Sequence, residues 1–188
     1  SLMVYNSGTA STMFAASGTA VYNVTSAGSV GSAVITSLTN ARFQSVNMTT
    51  SGGSFLFICN GADAPRHWNG SAWATPTLGS VTAANIINVE VYKERLFFVL
   101  KDSLTYGYLP VNAVAGTVAS VNLGSVFSKG GKIMAIATWT RDGGAGPDDN
   151  ILFFTDQGEI AMYSGTDPSD ATKWGLVGVY TVGRPIGR

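Results

Sequence analysis

The feature that most constrains the fold of this chain is a hairpin phrase that recurs along it. Residues 150–166, NILFFTDQGEIAMYSGT, hold an apolar run, a three-residue Asp-Gln-Gly turn and a second arm that alternates from Ile160 to Tyr163. A three-residue loop ending in Gly suits a hairpin that closes through a left-handed residue and a bulge. The same order of apolar run, polar or Gly turn and aromatic-containing second arm occurs in TMFAASGTAVYNVT from Thr12. It returns in SFLFICNGADAPRHWNG from Ser54 and in RLFFVLKDSLTYGYLP from Arg95. With Phe14, Phe57, Phe98 and Phe154 as anchors, the spacings are 43, 41 and 56 residues. The long last interval contains RDGGAGPDDN, residues 141–150, which reads as an inserted loop.

Units of about 40 to 45 residues with four short strands each are the period of propeller blades. The expected fold is therefore all-β and β-propeller-like, with about four repeats of four-stranded antiparallel blades. They make either a small closed propeller or part of a larger one. The repeat units fall at approximately 2–40, 41–84, 85–127 and 130–183, within a single domain spanning 1–188 that is expected to belong to a longer protein. Face-to-face blades cover their inner strands on both sides, so alternation is lost in runs such as FLFIC and RLFFVL and returns in outer strands. Helical periodicity is almost absent. Residues 129–140 are the one candidate, and their β-branched and aromatic content favours strand.

Composition narrows the function classes. Charged residues are 12% of the chain, about half the usual share, and 11 basic residues balance 11 acidic ones. No net field draws the chain to nucleic acid or to an anionic membrane. No apolar stretch approaches the roughly 18 residues of a membrane span. No basic start leads into an apolar segment as a signal peptide would. Cys59 is the one cysteine and lies inside an apolar run, where it reads as a small buried hydrophobe.

Signatures of catalysis are few. His67 is the one histidine, so multi-histidine metal sites are excluded, and its place beside Arg66 and Trp68 reads as a hairpin position or a lone general base. No Gly-rich stretch has phosphate-loop spacing, and no serine sits in a nucleophile elbow. Paired carboxylates would suit glycoside hydrolysis. The candidates Asp63, Asp102, Asp148, Asp149, Asp156, Glu159, Asp167 and Asp170 mostly occupy turns, where Asp hydrogen-bonds the local backbone. The loop GGAGPDD, residues 143–149, begins like a calcium-binding nonapeptide, with Asp148 and Asp149 as oxygen donors for Ca²⁺. It is a single copy of a motif that works in stacks, and a solvated loop is the alternative. Trp68 and Trp73 flank the Asn69-Gly70 turn. Together with His67, Tyr106 and Tyr108 they form a candidate ligand surface for sugar stacking, or else they pack between blades.

In NGADAPRHWNGSAWA, INVEVYKERLFFVL and YSGTDPSDATKWGLVG, the chain resembles tailed-bacteriophage and prophage virion structural proteins with propeller-like β repeats. The likeness runs from about Met13 to the C-terminus. It implies a virion component assembled in the bacterial host cytoplasm, and it carries no catalytic residues with it. The expected function is thus a non-enzymatic structural domain of the tail or head-to-tail region that binds other phage proteins or copies of itself. A host-surface glycan-binding module is the second expectation and a glycan-cleaving enzyme the third.

Overall fold

In a computed structural model, which describes residues 1–142 and 147–186, the chain folds into four antiparallel sheets laid out in sequence order. The first holds β1 (Leu2–Asn6), β2 (Ser11–Ser17) and β3 (Ala20–Asn23). The second holds β4 (Gln44–Thr50), β5 (Gly53–Cys59), β6 (Arg66–Trp68) and β7 (Trp73–Ala74). After β8 (Leu78–Gly79) and a 3-10 turn at Ala83–Asn85, the third begins with β9 (Ile86–Tyr92) and β10 (Arg95–Leu100). It continues with β11 (Thr105–Tyr108), leaves for β12 (Gly116–Thr117) and returns as β13 (Ala119–Asn122). The fourth holds β14 (Ile133–Asp142), β15 (Pro147–Thr155), β16 (Glu159–Gly165) and β17 (Trp174–Thr181). Each sheet is a meander of neighbouring strands, and one sheet falls in each of the spans 2–40, 41–84, 85–127 and 130–183.

Turn chemistry fixes the registers. Gly158 takes φ +77° after Asp156-Gln157, and its N–H donates to the Thr155 carbonyl at 3.2 Å, closing β15 onto β16. Lys93 and Glu94 both sit at positive φ between paired Tyr92 and Arg95, the mirror-image turn that matches strand twist. At Gly165, φ is +127°, and a Cβ would stand 1.9 Å from the Lys173 carbonyl oxygen, so only glycine fits.

The first sheet departs from the expected four strands. Residues 32–38 contribute a single bridge, Ile35 to Val21, because Ser37 turns into the left-handed region at φ 60° and ends the extended run. A second departure is the parallel pairing of β8 with β12, which ties the connection after sheet two to the connection inside sheet three.

The core is three layers, each between consecutive sheets. Met3, Tyr5, Phe14, Ala16 and Val21 pack against Leu56 and Ile58 between sheets one and two. Met48, Phe57 and Cys59 meet Val89, Leu96 and Phe98 between sheets two and three. Phe97, Val99, Tyr106 and Tyr108 meet Ile136, Ile151, Phe153 and Tyr163 between sheets three and four. The successive runs Leu56–Cys59 and Leu96–Val99 are therefore buried on both faces, which explains their unbroken apolar sequence. Asparagines on the first strands stitch the layers. Asn47 Nδ2 donates to the Val4 carbonyl at 2.8 Å, and Asn47 Oδ1 accepts from the Asn6 N–H at 3.0 Å. Asn88 repeats the device toward Ile136. No sheet closes on itself, and the outer faces of the first and fourth sheets stay uncovered.

Candidate functional site

The polar loops gather where the first strands begin. The loop of residues 60–65, the turn after β10 and the connection into β14 line an open cleft of about 260 Å³. Asn60, Gly61, Ile87, Lys101, Asp102 and Lys132 contribute to its walls. Gly61 sits so close to Ile87 that a Cβ would lie 2.7 Å from its Cγ2, which keeps sheet two against sheet three at this end. Lys132 Nζ and Asp102 Oδ1 pair at 2.6 Å across the mouth, and this hydrogen bond holds the Asp102 carboxyl below its ordinary range. The amide of Asn60 is fully engaged: Oδ1 accepts from the N–H of Ala62 and Asp63, and Nδ2 donates to Asp63 Oδ2 at 2.6 Å.

The acidic side chains are drawn into the same stitching. Asp63 takes the Thr39 N–H and hydroxyl as well, at 2.8 and 2.7 Å. Burial alone would raise its pKa, and the hydrogen bonds from Asn60 and Thr39 outweigh it, leaving the pKa lowered. Asp156 Oδ1 accepts from the Lys132 N–H at 2.9 Å. Glu159 is buried and caps the connection between sheets three and four, accepting from the Ser128 hydroxyl and from the N–H groups of Ser128 and Lys129. There too burial pushes upward and the donors prevail, so the carboxyl titrates below its usual value. Asp167 and Asp170 accept from Ser169 and Thr172 in their own turns, and Asp170 is lowered to about 2 chiefly by the Thr172 hydroxyl. Each of these carboxylates serves a backbone or a neighbouring loop.

Asp149 accepts from Lys93 Nζ at 2.6 Å and from the Thr140 hydroxyl at 2.9 Å, linking sheet four to the β9–β10 turn. The Asp148 side chain and residues 143–146 of the GGAGPDD loop lie outside the described residues. Among the described residues, no three His, Cys, Asp or Glu side chains gather as a metal site.

The aromatic candidates are distributed over three junctions. Trp68 and Trp73 are cross-strand partners, both edge-on to Phe14 at 5.2 and 4.9 Å between sheets one and two. His67, one residue away, points to the opposite face and stands edge-on to Phe55 at 5.4 Å. Its burial lowers its pKa, and its buried Nδ1 has no hydrogen-bond partner. Tyr106 and Tyr108 lie in the layer between sheets three and four, with Tyr106 stacked on Phe153 at 4.5 Å. Burial, reinforced by Tyr163 and Tyr108, raises the Tyr106 hydroxyl far above its ordinary pKa. The structure brings Trp68 together with Trp73, and Tyr106 with Tyr108, and it does not bring these pairs or His67 into one surface.

The cleft lysines, Lys101 and Lys132, were not distinguishable in the sequence, since nothing local announces that two loops will meet. Also unannounced is a sheet face: Trp139, Leu152, Ile160, Met162 and Tyr180 line an open apolar groove of about 230 Å³ on the outer side of sheet four. Its one sequence signal is the alternation of Ile160 and Met162, which line the groove, with Ala161 and Tyr163, which face sheet three; Met162 itself is buried at the groove floor. Among the described residues no helix is long and apolar enough to cross a membrane. No protein-family model, curated protein or solved structure matches this chain.

Proposed function

We propose that the four sheets are blades of an open propeller arc, and that the chain is a non-enzymatic structural domain of a tailed-phage particle. It belongs to the tail or head-to-tail region, is assembled in the bacterial cytoplasm and works through contacts with protein neighbours. The observation that carries the interaction reading is where the side chains are spent. The carboxylates and aromatic rings best suited to chemistry hold sheets and loops together, whereas large apolar side chains stand exposed on the two end sheets. Contiguous exposed apolar surface on a folded domain marks a place of association. Support for blades comes from four sequential meanders whose first strands touch in succession, β1 to β4, β4 to β9 and β9 to β14. Support for the virion comes from the resemblance of the phrases at residues 60–74, 87–100 and 163–178.

Immunogold electron microscopy of intact phage particles, with antibody raised against this chain, tests the setting. Label at the tail or neck is expected. Label absent from particles, with the antibody recognising particle-free lysate, would overturn it.

A further inference from the structure

Each of the two inner sheets presents one face to the sheet before it and the other to the sheet after it. On β4, Asn47 reaches back to sheet one and Met48 faces forward. On β9, Val89 packs back on sheet two, while Asn88 and Tyr92 turn toward sheet four. On β14, Ile136 faces back onto sheet three. This polarity leaves two faces without a neighbour, and they are opposite members of the same kind of junction. The backward face of sheet one carries Leu2, Val4 and Met13, exposed by 73, 41 and 40%, with Val4 and Met13 paired across strands. The forward face of sheet four carries Trp139 and Tyr180, exposed by 50 and 49%, around the groove formed with Leu152, Ile160 and Met162.

From these two faces we infer that two copies of this chain close on each other, the forward face of sheet four in each copy seated on the backward face of sheet one in the other. The inference rests on the blade reading, and not on the virion setting. A partner with a single apolar patch would cover one end and leave the other wet, whereas a second copy supplies both missing faces. The described side chains of both faces are apolar and carry no charge, and the chain's 11 basic residues balance its 11 acidic ones, so self-association meets no net repulsion. Continuing the internal junctions through two copies gives a ring of eight sheets. That is within the range of about 4 to 8 blades found in propellers. Head-to-tail contacts of this kind end in a ring when the rotation closes.

Sedimentation velocity of the chain over a range of concentrations tests this, and a two-copy species is expected. Val4→Glu and Tyr180→Glu each place an unpaired charge in both junctions and are expected to weaken pairing by on the order of a hundredfold or more. An equimolar mixture of the two variants re-forms one intact junction, so a weaker two-copy species should return. The milder Val4→Ser and Tyr180→Ser, checked for unchanged thermal unfolding, separate pairing from folding. A monomeric wild-type chain overturns the inference, and so does an open-ended polymer. Pairing that survives Val4→Glu but not Tyr180→Glu would mean fourth face on fourth face and overturns it equally. Small-angle X-ray scattering of the monomeric variants reads the blade arrangement by itself: a profile that fits the four-sheet arc keeps that reading even where pairing fails.

Discussion

Asn88 Oδ1 accepts a 3.1 Å hydrogen bond from the Ile136 N–H, buried between the third and fourth sheets. Asn88→Leu removes the acceptor and strands the backbone donor in an apolar layer. A loss of about 1–3 kcal/mol in unfolding free energy is expected, read by urea titration. Asn47→Ala, whose bonds are exposed, should cost less than Asn88→Leu in the same experiment.

In the same layer, Tyr106 stacks on Phe153, and its buried hydroxyl lies beside the Trp174 indole without a hydrogen bond of good geometry. Phe153→Ala should cost about 3–5 kcal/mol, as an aromatic deletion in a packed core does. Tyr106→Phe keeps the ring and removes the unsatisfied hydroxyl, so stability should stay level or rise by about 1 kcal/mol. A large loss on Tyr106→Phe would reveal a hydrogen bond in solution.

Trp73 is held edge-on against Phe14. Trp73→Ala is expected to lower unfolding free energy by about 3 kcal/mol. Glycan-array binding by the wild-type chain that vanishes in Trp73→Ala, at a temperature where the variant is still folded, would instead restore the sugar-stacking role.

Gly165→Ala drives a methyl group toward the Lys173 carbonyl at a backbone angle that side chains rarely adopt. A cost of about 3 kcal/mol or more is expected from strain and the displaced β16–β17 pairing. Thermal unfolding monitored by circular dichroism measures it.

Acid should destabilise the fold, and the sign follows from the carboxylates. Asp63, Asp149, Glu159, Asp167 and Asp170 all have folded pKa values below their unfolded ones of 3.8 for Asp and 4.5 for Glu. The stability they contribute is present above those values and is lost as pH falls through the folded ones, where the unfolded chain binds more protons. His67, lowered by burial, has the same sign in a window that opens below 6.5. Glu90, raised by burial, has the opposite sign just above 4.5. Urea midpoints should therefore drop between about pH 7 and pH 3, and His67→Phe should flatten the upper part of that fall.

The hairpins were legible because their signals are local. Gly158 closes Asp156-Gln157-Gly158 at the position its sequence assigns, and the runs at 56–59 and 96–99 announce burial on both faces. The first hairpin likewise turns at the Gly of its phrase, with Gly18-Thr19 between paired Ser17 and Ala20. What escaped depends on neighbours distant in sequence. The run ILFF reads like FLFIC, yet Leu152 and Phe154 face the uncovered side of the last sheet whereas Leu56 and Ile58 face sheet one. The carboxylates were legible as turn residues, but their service between sheets, such as Asp63 to Thr39 or Glu159 to Ser128, needs the connections to converge.

Because the core clusters of the described residues lie between consecutive sheets, folding strength in this chain is shared between nearest neighbours, as in a row of coupled springs. The second and third sheets are gripped from two sides, the first and fourth from one. Loosening therefore starts at the two ends and works inward, and amide protection should peak in β5 and β10. Joining two such rows end to end would convert every outermost member into an inner one and tighten the whole at once.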